Sequence, residues 1–290
     1  MHMNKNTDSE RILYFGYGSN LDKEDWTKWC NKKGYDPSGL KEISPAWIDG
    51  FNLSFDYFSK SREGGAANLN MFASGMAATP GALFEIDEKT LEALDEKEGH
   101  PRHYERFEQT VHTTDGQSHQ AYTYIHSSEE MDFFPPTKKY EDLIRKGLLR
   151  LGLPTIWLDA ALGKSNIPQF NYVFVYGTLM KGMARHSEME DGGRFYCKGN
   201  VKGELYDMGN YPGMIPGEGI VFGEVYKASD MFQMIQRLDW IEGAGGKNSL
   251  FTRTIQEVET DEGIIWAYVY HYAQPLDSFK QIKSGNWKKK

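Results

Sequence analysis

The chain has 290 residues, a length typical of about two domains, and its 39% hydrophobic and 14% aromatic content suits packed cores, which argues against a disordered protein. Lys and Arg number 33 against 41 Asp and Glu, and the resulting net charge of −8 argues against a nucleic-acid partner, since such partners are held by basic side chains. Cys30 and Cys197 stand in unrelated contexts, which favours neither a disulfide framework nor a structural zinc site. The polar first ten residues and the lack of an apolar run of about 18 residues predict a cytoplasmic protein without a signal peptide or membrane span.

The first half of the chain predicts an α+β domain, because apolar runs of period two alternate with helical patterns. Strands are predicted at 11–17, 47–58 and 81–86, with a hairpin of 104–112 and 119–125 around Asp115-Gly116. Helices are predicted at 22–32, 90–97, 140–151 and 155–162. Asp87 is placed to cap the second helix and Gly99 to end it.

The second half repeats this order after a predicted linker at 163–169. Strands are predicted at 172–176, 203–207 and 223–227, a helix at 230–240, and a hairpin of 252–258 and 264–272. Two copies are too few for a solenoid, so the pattern favours a tandem duplication, with domains at 1–163 and 170–290.

Two short motifs occur in both halves and in the same order. The first copy reads Tyr17-Gly18-Ser19-Asn20 after a strand, and then Leu94-Asp95-x-x-Glu98-Gly99. The second copy reads Tyr176-Gly177-Thr178-Leu179 after a strand, and then Leu238-Asp239-x-x-Glu242-Gly243. A polar loop paired twice with a distant acidic residue indicates a site in each domain.

The Tyr-Gly loops are of a type that binds anions. A strand that passes through glycine into a predicted helix leaves backbone amides free at the turn, and the helix dipole adds positive potential. Glycine also lets the backbone approach a ligand closely. An ordinary strand-to-helix turn is the plainer interpretation of one copy, and the repetition favours a site.

The two glutamates are candidates for proton transfer. Glu98 and Glu242 lie in the last turn of a predicted helix, where the negative end of the dipole disfavours a charged carboxylate. Asp95 and Asp239 lie three residues earlier, and their like charge acts in the same direction. A carboxyl group poised in this way suits general acid–base chemistry, although a solvated glutamate in a fraying turn is the commoner case.

These residues resemble a known family. The first pair of motifs resembles the gamma-glutamylcyclotransferases, and the second resembles the gamma-glutamylamine cyclotransferase branch, which includes the plant avirulence-induced-gene-like proteins. The resemblance covers nearly the whole chain as two consecutive domains. It implies an α+β fold in which each domain is a small mixed β-barrel with flanking helices.

The resemblance also implies a reaction and a set of residues. The substrate's α-amine attacks its own γ-carbonyl, forming 5-oxoproline and releasing an amine, amino acid or peptide, with no metal or cofactor. Glu98 and Glu242 are then the acid/bases. The remaining members of the implied substrate sites are Tyr17, Gly18, Ser19, Asn20, Tyr176, Gly177, Thr178 and Leu179. Tyr124 and Tyr270 are candidates either for lining the cavities or for the core.

Several alternatives stay open at this point. In one alternative, one or both domains are inactive modules that bind γ-glutamyl ligands. In another, only the N-terminal domain is active, because Phe251 of the second domain stands where the family usually has tyrosine. A hydrolase with a Ser19 nucleophile and His100 as base is less favoured, because the second copy has no such histidine. The leaving group and the oligomeric state are not indicated by the sequence.

Overall fold

The chain folds into two β-barrels, one in each half, as seen in a computed structural model. The structure describes residues 11–71, 77–127, 132–166, 170–244, 248–276 and 279–290. Within these ranges no helix is both long enough and apolar enough to cross a lipid bilayer. The expected linker is described as far as residue 166, and its last three residues lie outside the described ranges.

The N-terminal barrel contains five strands, and two further strands form a separate hairpin. The strands are β1 (Ile12–Gly16), β2 (Lys41–Asp49), β3 (Phe51–Ser59), β4 (Gly64–Met71), β5 (Ala78–Ile86), β6 (Glu105–Thr113) and β7 (Ser118–Ile125). The helices are α1 (Lys23–Lys33), α2 (Glu88–Glu98), α3 (Lys138–Arg150) and α4 (Ile156–Ala161). The barrel closes in the order β1-β5-β2-β6-β7, while β3 pairs with β4 outside it.

The C-terminal domain repeats the barrel without the extra hairpin. Its elements are β8 (Tyr172–Val175), α5 (Ser187–Glu190), β9 (Gly193–Asp207), β10 (Pro212–Ala228), α6 (Met231–Glu242), β11 (Phe251–Thr260), β12 (Gly263–Tyr272) and β13 (Lys280–Gln281). The sheet order is β10-β8-β12-β11-β9-β13, and β10 also pairs with β9. This last pairing closes a ring whose order, β8-β10-β9-β11-β12, matches that of the first barrel.

One glycine in each barrel makes this closure possible. A Cβ atom on Gly81 of β5 would lie 2.4 Å from the carbonyl oxygen of Gly16, and one on Gly223 of β10 would lie 2.4 Å from that of Val175. Each also faces an aromatic ring of the first strand, Phe15 or Phe174, at 2.7 Å or closer. Only glycine permits such a close approach where the first strand of each barrel ends.

The predicted fold class of two tandem α+β barrels with flanking helices is confirmed. The capping prediction is also confirmed, because Asp87 accepts a hydrogen bond from the Thr90 amide and Gly99 ends α2 in the left-handed conformation. The single strand predicted at 47–58 is wrong: it breaks at Gly50, whose φ is +78°, into β2 and β3. Strand β4 was not predicted, and β9 and β10, with 15 and 17 residues, extend well beyond their predicted segments.

The two barrels contact each other through β2 and β6 of the first and β11 and β12 of the second. The rings of Trp47 and Trp266 lie 4.8 Å apart between centroids. The Thr254 hydroxyl donates to the Thr113 carbonyl oxygen at 2.5 Å. The guanidinium of Arg253 lies 2.6 Å from Asp49, so an ion pair joins the domains.

Candidate functional site

The two Tyr-Gly loops adopt the same turn at the end of the first barrel strand. The Leu21 amide donates to the Gly18 carbonyl oxygen at 3.2 Å, and the Met180 amide donates to that of Gly177 at 3.1 Å. A turn of this kind leaves its first amides without an acceptor inside the turn. The helix predicted after the loop is confirmed in the first domain, where a 3₁₀ turn, Ser19–Leu21, leads into α1. It is wrong in the second domain, where the next helix is the short α5.

The tyrosine of each loop fastens it to the last barrel strand. The Tyr17 hydroxyl donates to the Tyr124 carbonyl oxygen at 2.5 Å, and the Tyr176 hydroxyl donates to the Tyr270 carbonyl oxygen at 2.7 Å. Both loop tyrosines are buried. The two loops are therefore held in the same position by the same bond.

Tyr124 and Tyr270 extend this arrangement to the helix that carries the acid. The Tyr124 hydroxyl donates to Asp95 at 2.6 Å, and the Tyr270 hydroxyl donates to Asp239 at 2.7 Å. Both tyrosines are buried, contribute to the cavity walls and hold the helix to the barrel. Burial, together with the bond to Asp95, raises the pKa of Tyr124 above its ordinary value.

Each of these aspartates also pairs with an arginine of the following strand. Arg106 lies 2.7 Å from Asp95, and Arg253 lies 3.0 Å from Asp239. These arginines were not predicted as site residues, although each stands two residues after the aromatic residue, Tyr104 or Phe251, that begins the hairpin. We name the set of Tyr-Gly loop, hairpin tyrosine, aspartate and arginine the tyrosine–aspartate frame.

Glu98 lies beside the N-terminal loop. The Asn20 amide nitrogen donates to the Glu98 carboxyl oxygen at 3.0 Å and to the Tyr14 hydroxyl at 2.8 Å. Asn20 is buried, whereas Glu98 is half-buried. The predicted loop and the predicted acid are thus joined directly by a hydrogen bond.

Glu242 lies in the corresponding place, in a less polar environment. Leu179 takes the position of Asn20, and the wall of the cavity includes Phe174 and Phe251. Burial raises the pKa of Glu242 to about 7, although the charge of Arg185 opposes the shift. The direction agrees with the prediction, but the cause differs: the predicted repulsion from Asp239 is not among the causes of the shift, and that carboxylate is paired with an arginine.

The two sites differ greatly in the space beside the acid. The cavity next to Glu98 has a volume of about 1080 Å³, whereas that next to Glu242 has about 30 Å³. The loop glycines are packed against protein atoms: a Cβ atom on Gly18 would lie 3.2 Å from the Tyr140 hydroxyl, and one on Gly177 would lie 2.7 Å from the Pro212 ring. A side chain at either glycine would therefore displace the wall of the cavity.

The hydroxyl of Ser19 has a partner that the sequence did not indicate. Arg62, on the turn between β3 and β4, donates to the Ser19 hydroxyl oxygen at 2.9 Å and lies 4.1 Å above the Tyr140 ring. Within the described residues no histidine nitrogen lies within hydrogen-bond distance of this hydroxyl, which removes the geometric support for a Ser19–His100 hydrolase. Among the described residues of the second domain, no hairpin corresponds to β3–β4 and no helix to α3, so the repeat gave no signal for Arg62 or Tyr140.

Comparisons with known proteins identify the family of the chain. The family model described as gamma-glutamyl cyclotransferase, AIG2-like, matches residues 14–145 and again residues 173–289. The chain therefore belongs to this family and contains two copies of its domain.

Two curated relatives each match about one domain of the chain. The gamma-glutamylcyclotransferase family protein YtfP of Escherichia coli is 34% identical over 115 residues, which is 40% of this chain and 94% of that protein. The gamma-L-glutamyl-butirosin B gamma-glutamyl cyclotransferase of Niallia circulans is 33% identical over 122 residues, or 40% of this chain and 74% of that protein. A solved structure titled gamma-glutamyl cyclotransferase aligns with a TM-score of 0.45 and 25% identity, over 55% of this chain and 89% of its own.

Proposed function

We propose that the chain is a cyclotransferase that converts γ-glutamyl compounds into 5-oxoproline and a free amine, amino acid or peptide. Glu98 and Glu242 are the proposed general acid/bases, one in each domain. The observation that carries the proposal is the repeated placement of a glutamate beside a Tyr-Gly loop on the same tyrosine–aspartate frame.

The proposed reaction balances without a co-reactant. The nitrogen of the substrate's α-amine forms a bond to its γ-carbonyl carbon, and the bond from that carbon to the leaving nitrogen breaks. The glutamate takes the proton that the attacking amine loses and delivers it to the leaving nitrogen. The loop amides would hold the γ-glutamyl group folded on itself, and this positioning supplies much of the acceleration.

The environment of Glu242 supports the acid/base role. A carboxyl group whose pKa is about 7 exchanges protons efficiently near neutral pH. Because the attacking amine must give up its proton to the carboxylate form, kcat/KM of the C-terminal site should rise as the pH increases through about 7. The variant Glu98→Gln isolates this site, and its pH–rate profile measures the value.

The decisive experiment measures 5-oxoproline by mass spectrometry from γ-glutamyl amino acids, γ-glutamyl amines and glutathione. Wild type is compared with Glu98→Gln, Glu242→Gln and the double variant. Replacement of a general acid/base should lower the rate of its site by about 100- to 10,000-fold, so the double variant should be nearly inactive. Glu92→Gln and Glu218→Gln remove exposed carboxylates from α2 and β10 and serve as matched controls. A double variant with the wild-type rate would contradict the assignment.

A C-terminal domain without catalysis is the second candidate, favoured by the small space of about 30 Å³ beside Glu242. In that case Glu98→Gln alone would abolish product formation, while Glu242→Gln would retain the full rate. Thermal stabilisation by γ-glutamyl compounds without turnover in any variant would instead support two ligand-binding modules.

A further inference from the structure

The outer wall of the cavity beside Glu98 comes from parts of the N-terminal domain that the second domain lacks. The β3–β4 hairpin contributes the segment from Tyr57 to Arg62, and α3 contributes Tyr140. In the second domain, β9 and β10 follow each other directly and leave only about 30 Å³ beside Glu242. The features common to both domains serve the part common to all substrates, the γ-glutamyl group. A wall present in one domain only serves what differs between substrates, the leaving group.

The lining of the whole cavity, which includes this wall together with parts of α1 and α2, is basic, although the chain as a whole is acidic. Its basic side chains are Lys28, Lys32, Lys33, Lys60, Arg62, Lys97 and Lys139, against the acidic side chains of Asp25, Glu96 and Glu98. Lys28, Lys33 and Lys97 pair with carboxylates at 2.7, 2.8 and 3.5 Å. The other four have no carboxylate within 4.0 Å in the part of the chain that the structure describes. Lys32, Lys60 and Lys139 are exposed to water, whereas Arg62 is half-buried, so Arg62 is the residue whose charge an anionic ligand would balance.

Arg62 is the member of this group that is fixed in place. One of its terminal nitrogens donates to the Ser19 hydroxyl oxygen at 2.9 Å, and its guanidinium stacks on Tyr140 at 4.1 Å. The Arg62 side chain is half-buried. Its partner Ser19 directly precedes Asn20, which donates a hydrogen bond to Glu98. A guanidinium with one donor fixed retains further donors for a planar anion such as a carboxylate.

We propose that Arg62 forms a subsite for a carboxylate on the leaving group, so that the N-terminal site acts on γ-glutamyl amino acids and peptides in preference to γ-glutamyl amines. This inference rests on the proposed cyclotransferase function. The carboxylate of an amino-acid leaving group lies two bonds from the nitrogen that departs, so one bound ion pair orients the bond that breaks.

The test compares two substrates that differ in this carboxylate alone: γ-glutamyl-alanine and γ-glutamyl-alaninamide. Glu242→Gln is the background, so that only the N-terminal site turns over. The measured quantity is the kcat/KM for the acid divided by that for the amide. Loss of a charged hydrogen-bond partner should lower this ratio by about 10- to 100-fold in Arg62→Met. Arg62→Lys should restore part of it, and Lys146→Met, which removes an exposed charge from α3, should leave it unchanged.

Each outcome is decisive. An acid-to-amide ratio that is unchanged in Arg62→Met overturns the subsite. If kcat/KM also falls equally for both substrates, Arg62 contacts the γ-glutamyl group instead. The absence of 5-oxoproline from every substrate overturns the proposed function separately. In that case calorimetry gives the dissociation constants of γ-glutamyl-alanine and γ-glutamyl-alaninamide for the Glu242→Gln protein with and without Arg62→Met. The ratio of the two constants should change in the Arg62→Met protein, and an unchanged ratio overturns the subsite.

Discussion

The two domains share one hydrogen-bonded frame but give their glutamates different surroundings. In the first domain, the Asn20 amide contacts Glu98 at 3.0 Å beside a cavity of about 1080 Å³. In the second, Leu179 replaces that amide, the cavity has about 30 Å³, and burial raises the pKa of Glu242 to about 7. The frame thus places the acid in the same position in both domains, and the fourth residue of the loop, Asn20 or Leu179, is one difference in its surroundings.

A second difference concerns the frame arginine. Arg106 pairs with Asp95 of its own domain, whereas Arg253 pairs with Asp239 and also with Asp49 of the other domain. The C-terminal frame therefore includes a carboxylate from the N-terminal barrel. Changes at the interface should reach the C-terminal site more readily than the N-terminal one.

The largest expected effect on stability is that of Arg253→Met. The substitution removes the cation that Asp49 and Asp239 share in a mostly buried place and leaves Asp49 with the His112 imidazole at 3.4 Å, which typically costs about 3–5 kcal/mol. The equivalent substitution Arg106→Met removes the cation of one carboxylate only, that of Asp95. Because the Arg106 side chain is 25% exposed, the substitution should cost about 1–2 kcal/mol. Urea unfolding followed by circular dichroism measures both. Equal losses would show that the interdomain ion pair contributes nothing.

The next effect concerns the pH dependence of stability at Glu242. Its pKa in the folded chain is raised from 4.5 to about 7, so its favourable contribution is complete below pH 4.5 and is lost as the pH rises through about 7. Glu242→Gln removes this loss. The variant should therefore exceed wild type by roughly 1–3 kcal/mol at pH 8 and match it at pH 4.

Denaturation at the two pH values measures this difference. Glu218→Gln, an exposed replacement in the same domain, is the control and should show no such dependence. A Glu242→Gln variant less stable than wild type at pH 8 would mean that the ionised carboxylate stabilises the fold.

Exchanging Asn20 and Leu179, the fourth residues of the two Tyr-Gly loops, tests whether they cause the difference between the two sites. Asn20→Leu, in a Glu242→Gln background, removes the donor that positions Glu98 and should lower kcat/KM about tenfold. Leu179→Asn, in a Glu98→Gln background, offers Glu242 a donor that favours its charged form. The acidic limb of the pH–rate profile should then move down by about one pH unit. An unmoved limb would show that Leu179 does not set the polarity of the second site.

The parts of the structure that were predictable from the sequence depend on local chemistry or on repetition. Asp87 and Gly99 cap opposite ends of α2, and each acts only on the neighbouring turn of the helix. The paired loops and acids were recognisable because each half of the sequence repeats the other. Arg62 was not predictable, because it reaches Ser19 only through the folding of a hairpin that has no second copy. The prediction of one continuous strand at 47–58 was wrong because the positive φ of Gly50, which separates β2 from β3, depends on the tertiary position of this residue.

The smallest expected effects test whether the frame is equivalent in the two domains. Tyr17→Phe removes a buried hydroxyl that donates to a carbonyl oxygen, at a cost of about 1 kcal/mol. Tyr176→Phe removes the same bond and also the acceptor of the Met214 amide at 3.3 Å, so it should cost slightly more, about 1–2 kcal/mol. Tyr35→Phe, which loses an exposed bond to Glu96, is the control and should change stability by less than about 0.5 kcal/mol. A much larger loss in one domain than in the other would mean that its loop tyrosine supports the cavity as well as the barrel. If Tyr17→Phe showed the larger loss, the rate of the N-terminal site should fall with it, because Gly18 of the same loop packs against Tyr140 on the wall of the larger cavity.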